Sequence, residues 1–170
     1  MGYVQDTQMA MIIPPCEMQF VTGAWSDAVV ANQWSKNKAA AAEMATVRIP
    51  LTGLFQNSAG LKGTLIKSVD LWFEITTLAA TAVSATLYKL TAPADNAAPA
   101  APGSLAFTYD GGHDTPAKRN AIQKHKMTLT LNGPVWLADT DVMFVELAIN
   151  AGATTQFMQK EARANFTLRM

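Results

Sequence analysis

The one place where side chains able to bind an ion crowd together is Asp110-Gly111-Gly112-His113-Asp114, two carboxylates and an imidazole in a single short stretch. Such ligands suit a divalent cation, but metal sites usually draw on more than one segment. An Asp-Gly-Gly turn with a capping aspartate accounts for the same letters through backbone geometry, so the stretch is read as a turn, with no metal and no cofactor assigned. His125, between Lys124 and Lys126, reads as a solvated polar position that titrates near neutrality. Nucleophilic catalysis finds no support: no serine sits in a G-x-S-x-G elbow, and Cys16, the single cysteine, has no histidine or basic residue close in sequence to activate it. Asp70 and Glu74 flank Trp72 on one face of a strand, as carboxylates do in sugar-cleaving sites. Residues four apart on a strand are roughly 13 Å apart by rise alone, however, too far for a retaining or inverting pair. The chain is read as a non-enzyme.

What remains is aromatic. Gly63 to Leu90 reads as a long β-hairpin: Val69, Leu71, Phe73 and Ile75 alternate with Asp70, Trp72 and Glu74, and Val83, Ala85 and Leu87 alternate with Ser84, Thr86 and Tyr88. Symmetric pairing sets Leu71 opposite Leu87, Phe73 opposite Ala85 and Ile75 opposite Val83, so both apolar sets share a face. On the other face Trp72 then lies diagonal to Tyr88 in a polar surround, which makes a good binding anchor unless a second layer covers it. The connection, about TTLAATA, lacks glycine or Asn-Gly, so a wide loop is expected there.

The rest of the chain supplies more short strands. Residues 1–45 read as an extended N-terminal arm, broken at Pro14-Pro15, with a short strand in MQFVTGAW that bends at Gly23. Ser26 to Met44 is either irregular or a short helix favoured by its alanines. Trp25 and Trp34 in this arm need a surface to bury against, in this subunit or a neighbour. From residue 46 a β-domain begins with TVRIP, which Pro50 confines to a sheet edge or a strand end. QNSAGLKG is a loop, and the Pro- and Ala-rich stretch Thr91 to Gly103 is a surface connector. SLAFTY is a strand, TPAKRN a single helical turn, and KMTLTL a strand that Asn132-Gly133-Pro134 turns into Val135-Trp136-Leu137. VMFVELAIN is a central strand and ANFTLRM a last one. Short antiparallel strands about ten residues apart, with almost no helix, predict an all-β antiparallel sandwich of jelly-roll-like topology over 46–170.

Composition narrows the partners. With 170 residues the chain forms one domain, and only 15% of it is charged. Lys plus Arg and Asp plus Glu are both 13, giving zero net charge and no surplus to pair with nucleic acid. KRNAIQKHK, the one cationic cluster, is read as a solvated turn. No basic leader with a continuous apolar core, and no apolar run of membrane-spanning length, is present, so no membrane partner and no secretion are expected. Asp6 stands where a myristoylation pattern wants Ser or Thr. No P-loop, dinucleotide fingerprint or repeat occurs. A weakly charged, neutral surface is easier to keep soluble when other subunits cover part of it.

The stretch from TVRIPLTGLF through ATLYKL, the TYDGGHDTPAKRN loop and the closing ANFTLRM resemble small β-sandwich structural proteins of tailed bacteriophage virions, particularly those that decorate capsids. The resemblance covers 46–170 and implies a non-enzymatic subunit, often a trimer, that is assembled in the host cytoplasm. It would bind copies of itself and a major capsid or other virion protein, reinforcing the shell. Trp25, Trp34, Trp72 and Tyr88 would then be partner-surface residues. The alternative is a carbohydrate-binding or receptor-binding module of a phage tail or fibre, with Trp72 and Tyr88 stacking on a glycan.

Overall fold

The computed structural model describes residues 6–30, 33–51, 64–93, 95, 97, 98, 100–138 and 140–169. Expectations for 52–63, and parts of those for 91–103, lie outside the described residues. In chain order the elements are β1 (Asp6–Ile13), β2 (Gln19–Thr22), β3 (Trp25–Val30), β4 (Gln33–Lys38), β5 (Glu43–Pro50), β6 (Thr64–Thr76), β7 (Ala82–Thr91), β8 (Gly103–Leu105), β9 (Phe107–Tyr109), α1 (Pro116–Asn120), β10 (Lys124–Leu137), β11 (Asp141–Ala151) and β12 (Gln156–Arg169). Among the described residues they form a seven-stranded sheet, β3-β4-β12-β6-β10-β9 with β1 also on β12, and a five-stranded sheet, β2-β5-β11-β7-β8. We call these the large and the small sheet.

All pairings are antiparallel. The pairs β1–β12, β5–β11, β6–β10 and β7–β8 are successive steps of one long antiparallel ribbon, and the steps alternate between the large and the small sheet. That winding is a jelly roll, as expected. Period-two alternation sends Val69, Leu71, Phe73 and Ile75 of β6 inward, facing Val83 and Leu87 of β7 and Val145, Leu147 and Ile149 of β11 across one continuous core. At about 1.5–3 kcal/mol per buried side chain, a one-residue slip of β6 alone costs about 6–12 kcal/mol. That is as much as the net stability of a typical domain.

The expected hairpin is corrected. β6 and β7 do not pair: Leu71 lies between Met127 and Ala162 in the large sheet, and Leu87 lies between Val145 and Leu105 in the small one. Alternation fixes which side chains go inward, but two strands in opposite sheets satisfy it as well as two neighbours do. The wide connection decides between them, because its five residues, Thr77 to Thr81, reach roughly 17 Å, enough to cross sheets about 10 Å apart.

Three further expectations change. SLAFTY is two strands, switching sheets at Ala106. Asn132-Gly133-Pro134 does not reverse the chain. Residues on both sides of it pair with β6, across a register shift between Thr130 and Val135 that keeps Pro134 out of the ladder. The N-terminal residues are extended and are laid on the body, β1 along β12 and β2 along β5, while both alternatives for Ser26 to Met44, irregular chain and short helix, give way to the paired strands β3 and β4. The alanine run Ala39–Ala42 instead curls around the fully buried Lys38 ammonium, which donates to the carbonyls of Ala39 and Ala41 (both 2.9 Å) and pairs with Glu43 at 3.2 Å.

Candidate functional site

Because β6 and β7 belong to different sheets, Trp72 and Tyr88 look out from opposite sides of the sandwich and form no pair. Trp72 is half-buried on the outer face of the large sheet. Lys126 from β10 and Arg163 from β12 each stand over its ring, 5.6 Å from the centroid, one from the strand on either side. Beside it Asp70 is buried at the foot of a polar cluster. Its carboxylate accepts from Arg163 Nη2 (2.6 Å) and Nε (3.0 Å), Thr128 Oγ1 (2.7 Å) and Asn165 Nδ2 (3.2 Å). Burial alone would push this carboxyl up, but the hydrogen bonds from Thr128, Arg163 and Asn165, with the Arg163 charge, hold it below the usual range. A ring already engaged by two cations, above a carboxylate committed to internal partners, serves the sheet better than it serves a sugar.

Tyr88 sits in a different setting. On the outer face of the small sheet it pairs across the strand with Phe144, their rings stacked at 5.2 Å and 30°. The next row along the strands carries Gln19, Arg48, Glu146 and Thr86. Arg48 reaches Glu146 (Nε to Oε2, 2.9 Å) and stands 5.7 Å from the Phe144 ring. The row after that is small: Thr22, Thr46, Ala148 and Ser84. An open cleft of about 350 Å³ is lined here by Glu17, Gln19, Arg48, Pro50, Val142 and Phe144. Two aromatic faces, a guanidinium, carboxylates and a carboxamide thus share one solvent-facing surface.

The Asp110–Asp114 stretch is a turn in its backbone, with His113 N on Asp110 O at 2.9 Å and Gly112 N on Asp110 Oδ1 at 2.8 Å. Both histidines are buried, which corrects the solvated reading of His125. The Asp110 carboxylate faces His113 Nδ1 (2.9 and 3.0 Å), His113 Nε2 faces His125 Nδ1 (3.1 Å), and His125 Nε2 meets the Ala121 carbonyl (3.0 Å). Phe73 stacks on the His125 ring at 4.4 Å. Arg119, from the cluster expected to be solvated, is also buried. It donates to His113 O (2.7 Å) and Val83 O (3.0 Å), tying the loop to the small sheet. Among the described residues no group of three His, Cys, Asp or Glu is placed to hold a metal ion.

Trp25 finds its surface within the subunit, against Phe20 and Phe157, with its indole N–H donating to Thr22 O at 2.7 Å. Trp34 is 61% exposed. The residues that join Tyr88, namely Arg48, Phe144, Glu146 and Gln19, were passed over in the sequence. Their signal was present, since Phe144 and Glu146 alternate with the inward Val145 and Leu147, and Arg48 with Val47 and Ile49. What the sequence withheld was the register that aligns three strands.

No family model and no curated protein matches the sequence. Among solved structures the chain is similar to a low-affinity xylan-binding module, CBM86, from the xylanolytic gut symbiont Roseburia intestinalis. The TM-score is 0.41 and the identity 11%, over 93% of this chain and 96% of that one.

Proposed function

We propose that this is a non-enzymatic binding module whose outer small-sheet face recognises a carbohydrate. The observation that carries the reading is the Tyr88–Phe144 stack beside the Arg48–Glu146 pair, over a row of small residues. Sugar rings offer C–H faces to aromatic rings and hydroxyls to planar polar groups, and this surface presents both within neighbouring rows of one sheet. Arg48 donates to ring or hydroxyl oxygens while Glu146 and Gln19 accept hydroxyl protons. An open, shallow cleft buries little of a ligand, so affinity is weak per site. Affinity electrophoresis through gels containing neutral polysaccharides tests this: the wild-type chain is retarded, Tyr88→Ala and Phe144→Ala are not, and Trp72→Ala still is. Absence of retardation on every polysaccharide, or loss with Trp72→Ala alone, overturns it.

A second reading, attachment to copies of itself or to a virion protein, has in its favour the exposed Trp34 indole on β4, beside the edge strand β3 of the large sheet. Light scattering tests it: an oligomer that Trp34→Ala dissociates supports it, and a strict monomer that binds no shell overturns it.

A further inference from the structure

We propose that the outer face of the large sheet holds a second binding site, for a saccharide that bears a carboxylate. A cavity of about 450 Å³ lies between β1, β12 and β6, lined by Gln8, Ala10, Lys67, Ser68, Asn165 and Thr167, with Met9 and Phe166 completing its wall. The ladder explains why these side chains converge. Thr167 pairs with Gln8, Asn165 with Ala10, and Asn165 with Ser68, and the short side chain of Ala10 leaves the space.

Lys67 is brought in by an irregularity. Asn165 pairs with Ser68 but Phe166 with Ile66, and on the other side Thr130 pairs with Ser68 while Val135 pairs with Ile66. Lys67 is therefore an extra residue relative to β12, while on its other side four residues of β10, Leu131 to Pro134, stand against it, and consecutive Lys67 and Ser68 both line the cavity. Bulges re-aim side chains in this way, often beside binding sites.

The chemistry of the lining is one-sided. Among the described residues it contains one ammonium and no carboxylate, and Lys67 forms no ion pair there. Asn165 Nδ2 donates to Ser68 Oγ at 3.2 Å, so part of the wall is held in place. Thr167 is 2% exposed, and among the described residues its hydroxyl oxygen has no hydrogen-bond partner. That hydroxyl is shut off from solvent, so it is a fixed cost of the wall and not a contact for a ligand. A carboxylate seated on Lys67, with sugar hydroxyls on Gln8, Ser68 and Asn165, fits this lining, and the volume admits a sugar of one or two rings.

This site does not rest on the carbohydrate reading of the small sheet, which lies on the opposite side of the sandwich. The test is an amide NMR titration of the full chain with a galacturonic acid trisaccharide, with its neutral galactose counterpart, and with inorganic sulfate at equal ionic strength. The acidic trisaccharide is expected to shift Lys67, Ser68, Asn165 and Thr167. Lys67→Ala is expected to weaken that binding at least tenfold and Gln8→Ala severalfold, with Tyr88→Ala leaving it unchanged. Equal binding of the neutral sugar, equal saturation by sulfate, an unaffected Lys67→Ala, or no shift at these amides would overturn the proposal. Lys67 is exposed, so its alanine variant tests the site without disturbing the core.

Discussion

His113 Nε2 and His125 Nδ1 meet at 3.1 Å inside the molecule, and the groups at either end of this contact fix its protons. The Ala121 carbonyl only accepts, so His125 Nε2 donates to it and His125 Nδ1 accepts from His113 Nε2. Asp110, at the far end, also accepts, so both ring nitrogens of His113 face acceptors.

Acid should therefore loosen this loop first. Burial, with the His113 charge adding to it, holds His125 below its ordinary value of 6.5 against the opposing pull of its bond to Ala121. Below 6.5 the unfolded chain protonates this ring while the folded one resists, so the unfolded state holds more protons and stability falls as pH falls. Asp110 acts in the same direction lower down. Burial raises its carboxyl, but bonds from Thr128 N, His113 and Gly112 N together hold it below 3.8, so its contribution is present above that value and lost as pH falls through the folded one. Thermal melting is expected to weaken from about pH 7 to 5 and again below about 4, with the first step reduced in His125→Asn. Asp110→Asn is expected to cost about 2 kcal/mol at neutral pH. A flat profile across the first of these intervals would contradict the arrangement.

The Asp70–Arg163 pair makes a different prediction, because its members are unequally buried, with side chains 4% and 38% exposed. Arg163→Met strands a buried carboxylate, at a cost of about 3 kcal/mol, whereas Asp70→Asn frees an arginine that water can reach and costs less. The double variant should lose clearly less than the sum of the two, since no isolated charge is left. Urea unfolding of the four proteins measures this, and strict additivity would mean that the pair is not coupled.

The layered all-β architecture and the inward residues of β6, β7 and β11 were legible in the sequence because one period, two, governs them all. The partners of those strands were not. Leu71 and Leu87 satisfy the same alternation whether paired or facing each other, and only the length of Thr77 to Thr81 favoured facing. The same gap misplaced the candidate site, as Trp72 and Tyr88 follow one rule onto two surfaces. His125 was misread for another reason: flanking lysines suggest solvent, yet on a strand they point outward while the residue between them points in.

Sorting the two aromatic surfaces is a matter of one substitution each. If Tyr88 and Phe144 stack on sugar, truncating either should weaken polysaccharide binding about tenfold, worth about 1.4 kcal/mol, while Trp72→Ala changes binding by less than about twofold. Gel retardation at several polysaccharide concentrations gives the ratio, and a larger effect at Trp72 would move the site to the large sheet.

The crossing from β6 to β7 carries backbone strain. Thr77, a β-branched residue, has φ of +73°, and Leu78 N donates to Thr76 O at 2.9 Å, closing a three-residue turn of the strained kind. Thr77 is exposed, so Thr77→Gly removes no packing. It relieves about 1–2 kcal/mol of left-handed strain and returns about 0.5–1 kcal/mol through the freer unfolded chain. The variant should therefore gain roughly 0.5–1 kcal/mol in denaturant unfolding. Gly23 is the reverse case. At φ +95° a Cβ there would sit 2.8 Å from the Cβ of fully buried Ala45 and 3.1 Å from the Trp25 indole nitrogen. Gly23→Ala should cost about 2 kcal/mol or more, since both the backbone and the core must move. If Thr77→Gly instead lowers stability, the threonine side chain is holding the crossing in place, and the strain assigned to this turn is not what limits it.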